Sequence, residues 1–169
     1  MEYIDGTTLD RLLRDQRSFT LDEIVSMFRQ LLSALGYAHE NGVIHRDIKP
    51  SNIMLTSSGE VKIADFGIAK VAGAAKLTRT GTGAGSLLYM SPEQIKGTNI
   101  DNRSDIYSVG VTLYQVVAGR TPFEADSDYD IMTGHLERAP LAPSQLKGSI
   151  AKDLEEVILK ALEKKPEKR

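Results

Sequence analysis

The sequence predicts one domain of the α+β class in which helices predominate. Two long helical patterns carry most of the apolar residues, and short apolar runs between polar turns predict a few small strands. The chain has 169 residues, of which 41% are hydrophobic, so it is long enough to bury a core of its own. These observations favour a single, mainly helical unit spanning residues 1–169.

Two helices are predicted near the start of the chain. The first is a short helix over residues 7–17. Thr20 then begins the tetrapeptide TLDE, which has the form of a helix capping box. The helix that follows should end at Asn41 and Gly42, because glycine commonly terminates helices. Its apolar stripe recurs at helical spacing and comprises Ile24, Phe28, Leu31, Leu35 and Ala38.

Short strands and a long loop are predicted in the middle of the chain. Apolar runs at residues 43–44, 53–55 and 61–63 alternate with polar turns, which is typical of small strands. Residues 70–91 are predicted to form an extended loop with three basic residues and no acidic one. Loops of this length are usually functional. The run GTGAG at residues 81–85 lacks the strand-to-helix context of a nucleotide-binding glycine motif, so it is interpreted as loop.

Two further helices are predicted in the second half. One is apolar on most of its faces and should therefore be buried. Its apolar or small residues are Ile106, Val109, Gly110, Leu113, Val116 and Val117. The other is amphipathic, with an apolar face made of Ile150, Leu154, Val157, Ile158 and Ala161.

Composition excludes several classes of function. The 21 basic and 23 acidic residues nearly balance, which gives no indication of a nucleic-acid partner. The absence of cysteine excludes disulfides and thiolate metal sites and is compatible with the cytoplasm. No apolar run approaches the roughly 20 residues that span a bilayer, and no signal peptide opens the chain. We therefore expect a cytoplasmic segment without a membrane span, although the protein that carries it could be anchored elsewhere.

The octapeptide HRDIKPSN at residues 45–52 concentrates polar chemistry between two predicted strands. A carboxylate such as Asp47 can accept the proton of an attacking hydroxyl, and an ammonium such as Lys49 can neutralise charge on a moving phosphoryl group. Asn52 offers a hard oxygen to Mg²⁺, and Asp65, in the sequence Asp-Phe-Gly, offers a second. The set predicts phosphoryl transfer.

These residues resemble the catalytic loop and the Asp-Phe-Gly motif of eukaryotic-type protein kinases. The resemblance continues at Ser91-Pro92-Glu93, which is similar to the Ala-Pro-Glu motif, and at Asp105, which is similar to the start of the buried central helix. It covers essentially the whole chain, and its details are most similar to the receptor-type Ser/Thr kinases of bacteria.

The resemblance implies a role for each motif residue. Asp47 would be the catalytic base, Lys49 a phosphate contact, and Asn52 and Asp65 the ligands of Mg²⁺. Three further residues would be structural: Ser86 would help to hold Asp47 and Lys49, and Glu93 would pair with Arg169. The spacing of Lys49, Ser86 and Glu93 looks like the Ser/Thr branch of the family, not the Tyr branch.

Residues 1–6 resemble the hinge between the two lobes of a kinase. By this resemblance, the backbone of Glu2 and Ile4 would bond the adenine of ATP, and Met54 would form the floor beneath the base. The sequence carries no glycine-rich phosphate loop, strand lysine or partner glutamate. We therefore expect the mainly helical C-terminal lobe alone, without the N-terminal lobe, and negligible activity for residues 1–169 in isolation.

Thr78 and Thr80 lie at the positions of autophosphorylated threonines in the similar bacterial kinases. A phosphate there could order the loop by pairing with Arg46. Among the histidines, His45 is interpreted as a packed, hydrogen-bonded core residue, and His39 and His135 as packing or surface residues.

Two functions stay open at this point. The first is a Ser/Thr protein kinase that transfers the γ-phosphate of ATP to protein hydroxyls with Mg²⁺, with a kinase homodimer as the form that autophosphorylates. The second is a catalytically inactive kinase fragment that acts as a protein-interaction module through its helical face.

Overall fold

Helices make up most of the part of the chain that the computed structural model describes, which is residues 5–66, 84–148 and 150–169. The mainly helical α+β class predicted from the sequence is confirmed. The strands are β1 (Gly6–Thr8), β2 (Ile53–Thr56) and β3 (Val61–Ile63). The helices are α1 (Leu9–Arg14), α2 (Leu21–Glu40), α3 (Ala84–Leu87), α4 (Pro92–Lys96), α5 (Asn102–Ala118), α6 (Asp128–Glu137), α7 (Pro143–Leu146) and α8 (Lys152–Ala161), and two 3₁₀ turns cover Pro50–Asn52 and Pro166–Lys168.

The three strands form one small antiparallel sheet in the order β1-β2-β3. Met54 at its centre pairs with Thr8 on one side and Lys62 on the other. Gly6 is needed at the edge, because a Cβ at this position would lie 2.7 Å from the carbonyl oxygen of Leu55. The predicted strands at residues 53–55 and 61–63 are thereby confirmed.

Helix α2 begins and ends where its sequence signals indicate. The Thr20 hydroxyl accepts from the Glu23 amide at 3.2 Å, and Glu23 Oε2 accepts from the Thr20 amide at 2.8 Å, which completes the capping box. At the other end, Gly42 has a φ of 75°, and its amide donates to the His39 carbonyl at 2.9 Å. The Val43 amide donates to the carbonyl of Ala38 at 2.9 Å. These two bonds form a Schellman motif.

The prediction of a strand at residues 43–44 is wrong, because Val43 belongs to the motif that ends α2. The Val43 amide satisfies the end of α2 and cannot also join a sheet. The predicted helix at residues 7–17 is shorter than expected, because residues 7 and 8 pair in β1 and the Thr8 side chain caps α1.

Helix α5 runs through the core, as predicted. Twelve of its 17 residues are buried, and Gly110 allows close packing, because a Cβ there would lie 2.7 Å from the Cβ of Ala161 in α8. The amphipathic face predicted for α8 is only partly correct, because Val157 is 59% exposed and Ile150 precedes the helix. The largest fully buried side chains include Tyr107, Tyr114, Leu9, Leu31, Leu35, Ile48, Ile53, Ile158 and Leu162.

Part of the loop predicted at residues 70–91 is helical. Residues 84–87 form α3, and residues 67–83 lie outside the described ranges. Across those ranges, none of the helices has the combination of length and apolar character that spanning a bilayer requires.

His135 of α6 lies in a buried aromatic cluster. Its ring centroid is 5.0 Å from that of Phe123 and 5.7 Å from that of Tyr107. The Lys164 ammonium lies 4.2 Å above the Phe123 ring. Burial lowers the pKa of His135 to about 3, with the nearby charge of Lys164 acting in the same direction and the backbone of Leu88 opposing it in part.

The neutral state of His135 predicts that the fold loses stability in acid. A histidine in an unfolded chain has a pKa of about 6.5, so between that pH and about pH 3 the unfolded chain binds a proton that the folded chain does not. This contribution is therefore complete above about pH 6.5 and falls by up to about 1.4 kcal/mol per pH unit below it. Urea denaturation at a series of pH values should show a shallower acid dependence for His135→Gln than for the wild type. Equal slopes would contradict the prediction.

Candidate active site

The segment between α2 and β2 carries the polar residues that the sequence singles out. The segment turns at Arg46, which has a φ of 68°. Asp65, which lies two residues after the end of β3, also has a positive φ, of 56°. Left-handed backbone at residues other than glycine costs about 1–3 kcal/mol and persists where the surroundings hold it. At Arg46, hydrogen bonds from α4 and α5 provide this support.

Asp105 in the first turn of α5 holds the backbone of this segment. Its side chain is fully buried. Oδ2 accepts from the His45 amide at 2.9 Å and Oδ1 accepts from the Arg46 amide at 2.8 Å. His39 Nε2 of α2 lies 2.7 Å from Oδ2. The sequence singles out Asp105 but not its contact with His39, because the two residues are 66 positions apart and no periodicity links them.

His45 is fully buried and uses both ring nitrogens. Nε2 lies 3.1 Å from the carbonyl oxygen of Ala64, and Nδ1 accepts from the Asp47 amide at 3.2 Å. A carbonyl can only accept and an amide can only donate, so the ring is the neutral tautomer with its proton on Nε2. Burial lowers the pKa of His45, although the bond to Ala64 and the charges of Asp105 and Asp47 oppose this. The interpretation of His45 as a packed, hydrogen-bonded residue agrees with these contacts.

The structure brings Asp47, Lys49, Asn52 and Ser86 together. Lys49 Nζ lies 3.0 Å from Asp47 Oδ2 and donates to Ser86 Oγ at 2.8 Å. Asn52 Nδ2 donates to the Asp47 carbonyl at 2.9 Å and lies 3.3 Å from Asp47 Oδ2. The Asp47 and Lys49 side chains are 16% and 20% exposed, so both remain accessible at a partly desolvated surface. This arrangement can accept a proton beside a fixed positive charge.

The donor atoms near Asp47 fit a hard divalent cation. The bonds from Asn52 Nδ2 direct that nitrogen towards Asp47, and Oδ1 accepts only a long bond of 3.4 Å from Ser51 among the described residues. Asp65 follows Ala64, whose amide donates to the Asn52 carbonyl at 2.9 Å. Amide and carboxylate oxygens are ligands that Mg²⁺ accepts. Within the described ranges, no group of three or more His, Cys, Asp or Glu residues forms a metal cluster, so Asn52 and Asp65 would need ligands from the substrate and water.

Glu93 of α4 and Arg169 form a buried, bidentate ion pair. Arg169 Nη1 donates to Glu93 Oε1 at 2.6 Å and Nη2 to Oε2 at 2.9 Å. The Ser104 hydroxyl donates to Oε1 at 2.7 Å. Burial by itself would raise the pKa of Glu93, but the hydrogen bonds from Arg169 and Ser104 outweigh it, so the pKa is lowered. The pair joins α4 to the segment that follows α8.

Of the remaining predicted residues, one lies in strand β2 and the others lie outside the described ranges. Met54 is half-buried in β2. Its neighbour Ile53 points into the core and is fully buried, so Met54 faces the opposite side of the sheet. Glu2, Ile4, Thr78 and Thr80 lie outside the described residues.

Comparison with known proteins identifies the family. The sequence model of the protein kinase domain family matches residues 1–169. The chain is 41% identical over 169 residues to a probable serine/threonine-protein kinase of Clostridium acetobutylicum, and 44% identical over 171 residues to another of Streptomyces coelicolor. It is 40% identical over 171 residues to the serine/threonine-protein kinase PknB of Mycobacterium tuberculosis.

All of this chain is covered in each of these comparisons, but only 25–27% of each relative is. The chain therefore spans about a quarter of the length of the curated relatives it matches. The extent of the match and the level of identity lead to one conclusion. The chain belongs to the protein kinase domain family.

Proposed function

We propose that residues 1–169 are the C-terminal lobe of a Ser/Thr protein kinase, comprising hinge, catalytic loop, activation segment and helical core. The protein that carries them transfers the γ-phosphate of ATP to Ser and Thr hydroxyls of protein substrates. The observation that carries the proposal is the position of Lys49 Nζ between the Asp47 carboxylate and the Ser86 hydroxyl. An acceptor hydroxyl beside this pair would meet a base and a positive charge together.

In this mechanism Asp47 accepts the proton of the substrate hydroxyl as the hydroxyl oxygen attacks the γ-phosphorus of ATP, and the bond from that phosphorus to the β–γ bridging oxygen breaks to release ADP. Asn52 fixes the carboxylate by donating to both the backbone and the side chain of Asp47. Lys49 supplies a fixed positive charge next to the transferring phosphoryl group, and Ser86 orients its ammonium. Mg²⁺ held by Asn52 and Asp65 would supply charge neutralisation for the phosphates of ATP.

ATP would bind on the side of the sheet that Met54 faces. The half-buried position of Met54 supports a role as a flat apolar contact for adenine. The backbone of Glu2 and Ile4 would provide the polar contacts to the base, as the resemblance to the hinge implies.

The proposal is tested by incubating the whole purified protein with Mg-ATP and a protein substrate, followed by phosphoamino-acid analysis. Phosphoserine and phosphothreonine without phosphotyrosine are expected. The polypeptide of residues 1–169 by itself should transfer negligible phosphate, because it contains no glycine-rich loop or strand lysine to position the phosphates. Robust, Asp47-dependent turnover by this polypeptide would contradict that expectation and would also rule out the alternative of an inactive interaction module.

Autophosphorylation is proposed at Thr78 and Thr80, with transfer between two copies of the kinase. Arg46 supports this idea, because its Nε atom is buried and has no hydrogen-bond partner among the described residues, and a phosphate could pair with the guanidinium. After incubation of the whole protein with Mg-ATP, mass spectrometry should find phosphate on Thr78 or Thr80. An active enzyme with both threonines unmodified would remove the idea.

The setting proposed for this activity is the cytoplasm, with proteins as substrates and no nucleic-acid partner. The near balance of charges and the absence of cysteine support it. An anchor elsewhere in the whole protein would be compatible with a cytoplasmic kinase lobe.

A further inference from the structure

Gln94 in α4 uses both ends of its side-chain amide. Oε1 accepts from the Ser91 amide at 3.0 Å, and Nε2 donates to the carbonyl oxygen of Arg46 at 2.8 Å. The first bond belongs to the capping box of α4. An amide hydrogen can only be met by an acceptor and a carbonyl only by a donor, so both contacts require the same orientation of the Gln94 amide. The side chain therefore bridges two segments that lie 48 residues apart.

The carbonyl that Gln94 contacts belongs to the peptide unit immediately before Asp47. Because a peptide unit is planar, the Arg46 carbonyl and the Asp47 amide move together. The Asp47 amide donates to His45 Nδ1 at 3.2 Å. The unit is thus held at its oxygen by Gln94 and at its nitrogen by His45.

Arg46 itself needs this support. Its φ of 68° is a left-handed conformation that residues with a Cβ rarely adopt. Its amide donates to Asp105 Oδ1 at 2.8 Å and its carbonyl accepts from Gln94. Side chains from α5 and α4 therefore hold both backbone polar groups of the residue that precedes Asp47.

We propose that Gln94 is a positioning residue for the catalytic base. It holds the peptide unit between Arg46 and Asp47. The orientation of the Asp47 carboxylate therefore depends on the position of α4. This inference rests on the function proposed above, since it assigns Gln94 to the same reaction. Gln94 does not touch the reacting groups, and it acts only through the Arg46 carbonyl.

A pair of matched variants in the whole protein tests the proposal. Gln94→Glu keeps an oxygen for the Ser91 amide and replaces the donor towards Arg46 with a second oxygen. Gln145→Glu makes the same change at an exposed residue of α7, where Oε1 likewise accepts from a cap amide, that of Ala142, at 3.2 Å. We expect Gln94→Glu to lower kcat about tenfold or more with the KM for ATP within about twofold, and Gln145→Glu to change neither. Equal kcat values for the two variants would overturn the proposal.

The pH profile separates positioning from loss of fold. A protonated carboxyl group carries an O–H that can again donate to the Arg46 carbonyl. The activity of Gln94→Glu relative to the wild type should therefore rise as the pH falls from about 8 to about 5.5. A constant ratio, together with a lowered melting temperature, would indicate a structural role and would contradict the proposal.

Hydrogen exchange tests the inference without reference to activity. The Asp47 amide should exchange faster in Gln94→Glu than in Gln145→Glu, because its peptide unit loses one of its two restraints. Faster exchange in a protein that transfers no phosphate would reject the proposed function and still support the restraint of this peptide. Equal exchange in an active kinase would reject the role of Gln94 alone.

Discussion

Replacing Asp47 with asparagine is expected to lower phosphoryl transfer by the whole protein about 10²- to 10⁴-fold, which is the range for loss of a general base. Asparagine has almost the same shape but cannot accept the proton of the attacking hydroxyl. The loss should appear in kcat, with a small change in the KM for ATP, because in the proposed mechanism Asp47 acts on the acceptor hydroxyl during the transfer step.

The fold should tolerate this substitution. Lys49, which would lose the nearby negative charge, is 20% exposed and keeps its bond to Ser86. Asp126→Asn is a suitable control, because Asp126 is an exposed loop carboxylate. Single-turnover transfer at saturating ATP and thermal melts of both variants provide the measurement. Transfer by Asp47→Asn within about threefold of the Asp126→Asn rate would contradict the role of Asp47 as base.

The local parts of this fold could be predicted from the sequence because their signals are local. The Thr20 capping box and the glycine at position 42 specify the ends of α2 through residues only a few positions apart. Asp47, Lys49 and Asn52 lie within six positions of one another, so a single tight loop brings them together. For these features, sequence distance and spatial distance agree.

The parts that could not be predicted from the residues alone depend on contacts between distant segments. His39 meets Asp105 across 66 positions and Gln94 meets Arg46 across 48, and no periodicity in the sequence indicates either contact. The strand prediction at Val43 is wrong for a different reason. Valine favours strands, but the Val43 amide donates to a carbonyl in the last turn of α2, which would otherwise lack a hydrogen bond.

Family resemblance supplied a second kind of information. The contact between Glu93 and Arg169 was expected on that basis, and the structure brings the two side chains together. Nothing in the spacing of the two residues would have indicated it, since they are 76 positions apart. Val157, in contrast, fits the helical apolar pattern and is nevertheless 59% exposed, because periodicity does not reveal how wide the packed face is.

The second large effect is expected from replacing Arg169 with alanine, which should destabilise the fold by about 3–5 kcal/mol. The Arg169 side chain is 1% exposed and Glu93 is 6% exposed. Removal of the guanidinium leaves a buried carboxylate without its counter-charge, and this uncompensated charge is the main cost.

The number of hydrogen bonds at Arg169 strengthens this expectation. A guanidinium has five N–H donors, and each has an acceptor here. Two bond to Glu93 at 2.6 and 2.9 Å, and three bond to the backbone carbonyls of Glu163, Lys164 and Arg103 at 2.8, 3.3 and 2.9 Å. The loss of these bonds also releases the segment after α8 from α4 and α5, so the effect should extend beyond one ion pair.

The chain offers a matched control in Arg103, which pairs with Asp101 at 2.6 Å but is 44% exposed. Exposed pairs contribute about 0–1 kcal/mol because water competes for both charges. Urea denaturation should therefore show a large loss for Arg169→Ala and a small one for Arg103→Ala. Arg169→Lys should fall between the two, since an ammonium keeps the charge but cannot form the bidentate bond. Equal losses for the two alanine variants would mean that burial does not amplify this ion pair.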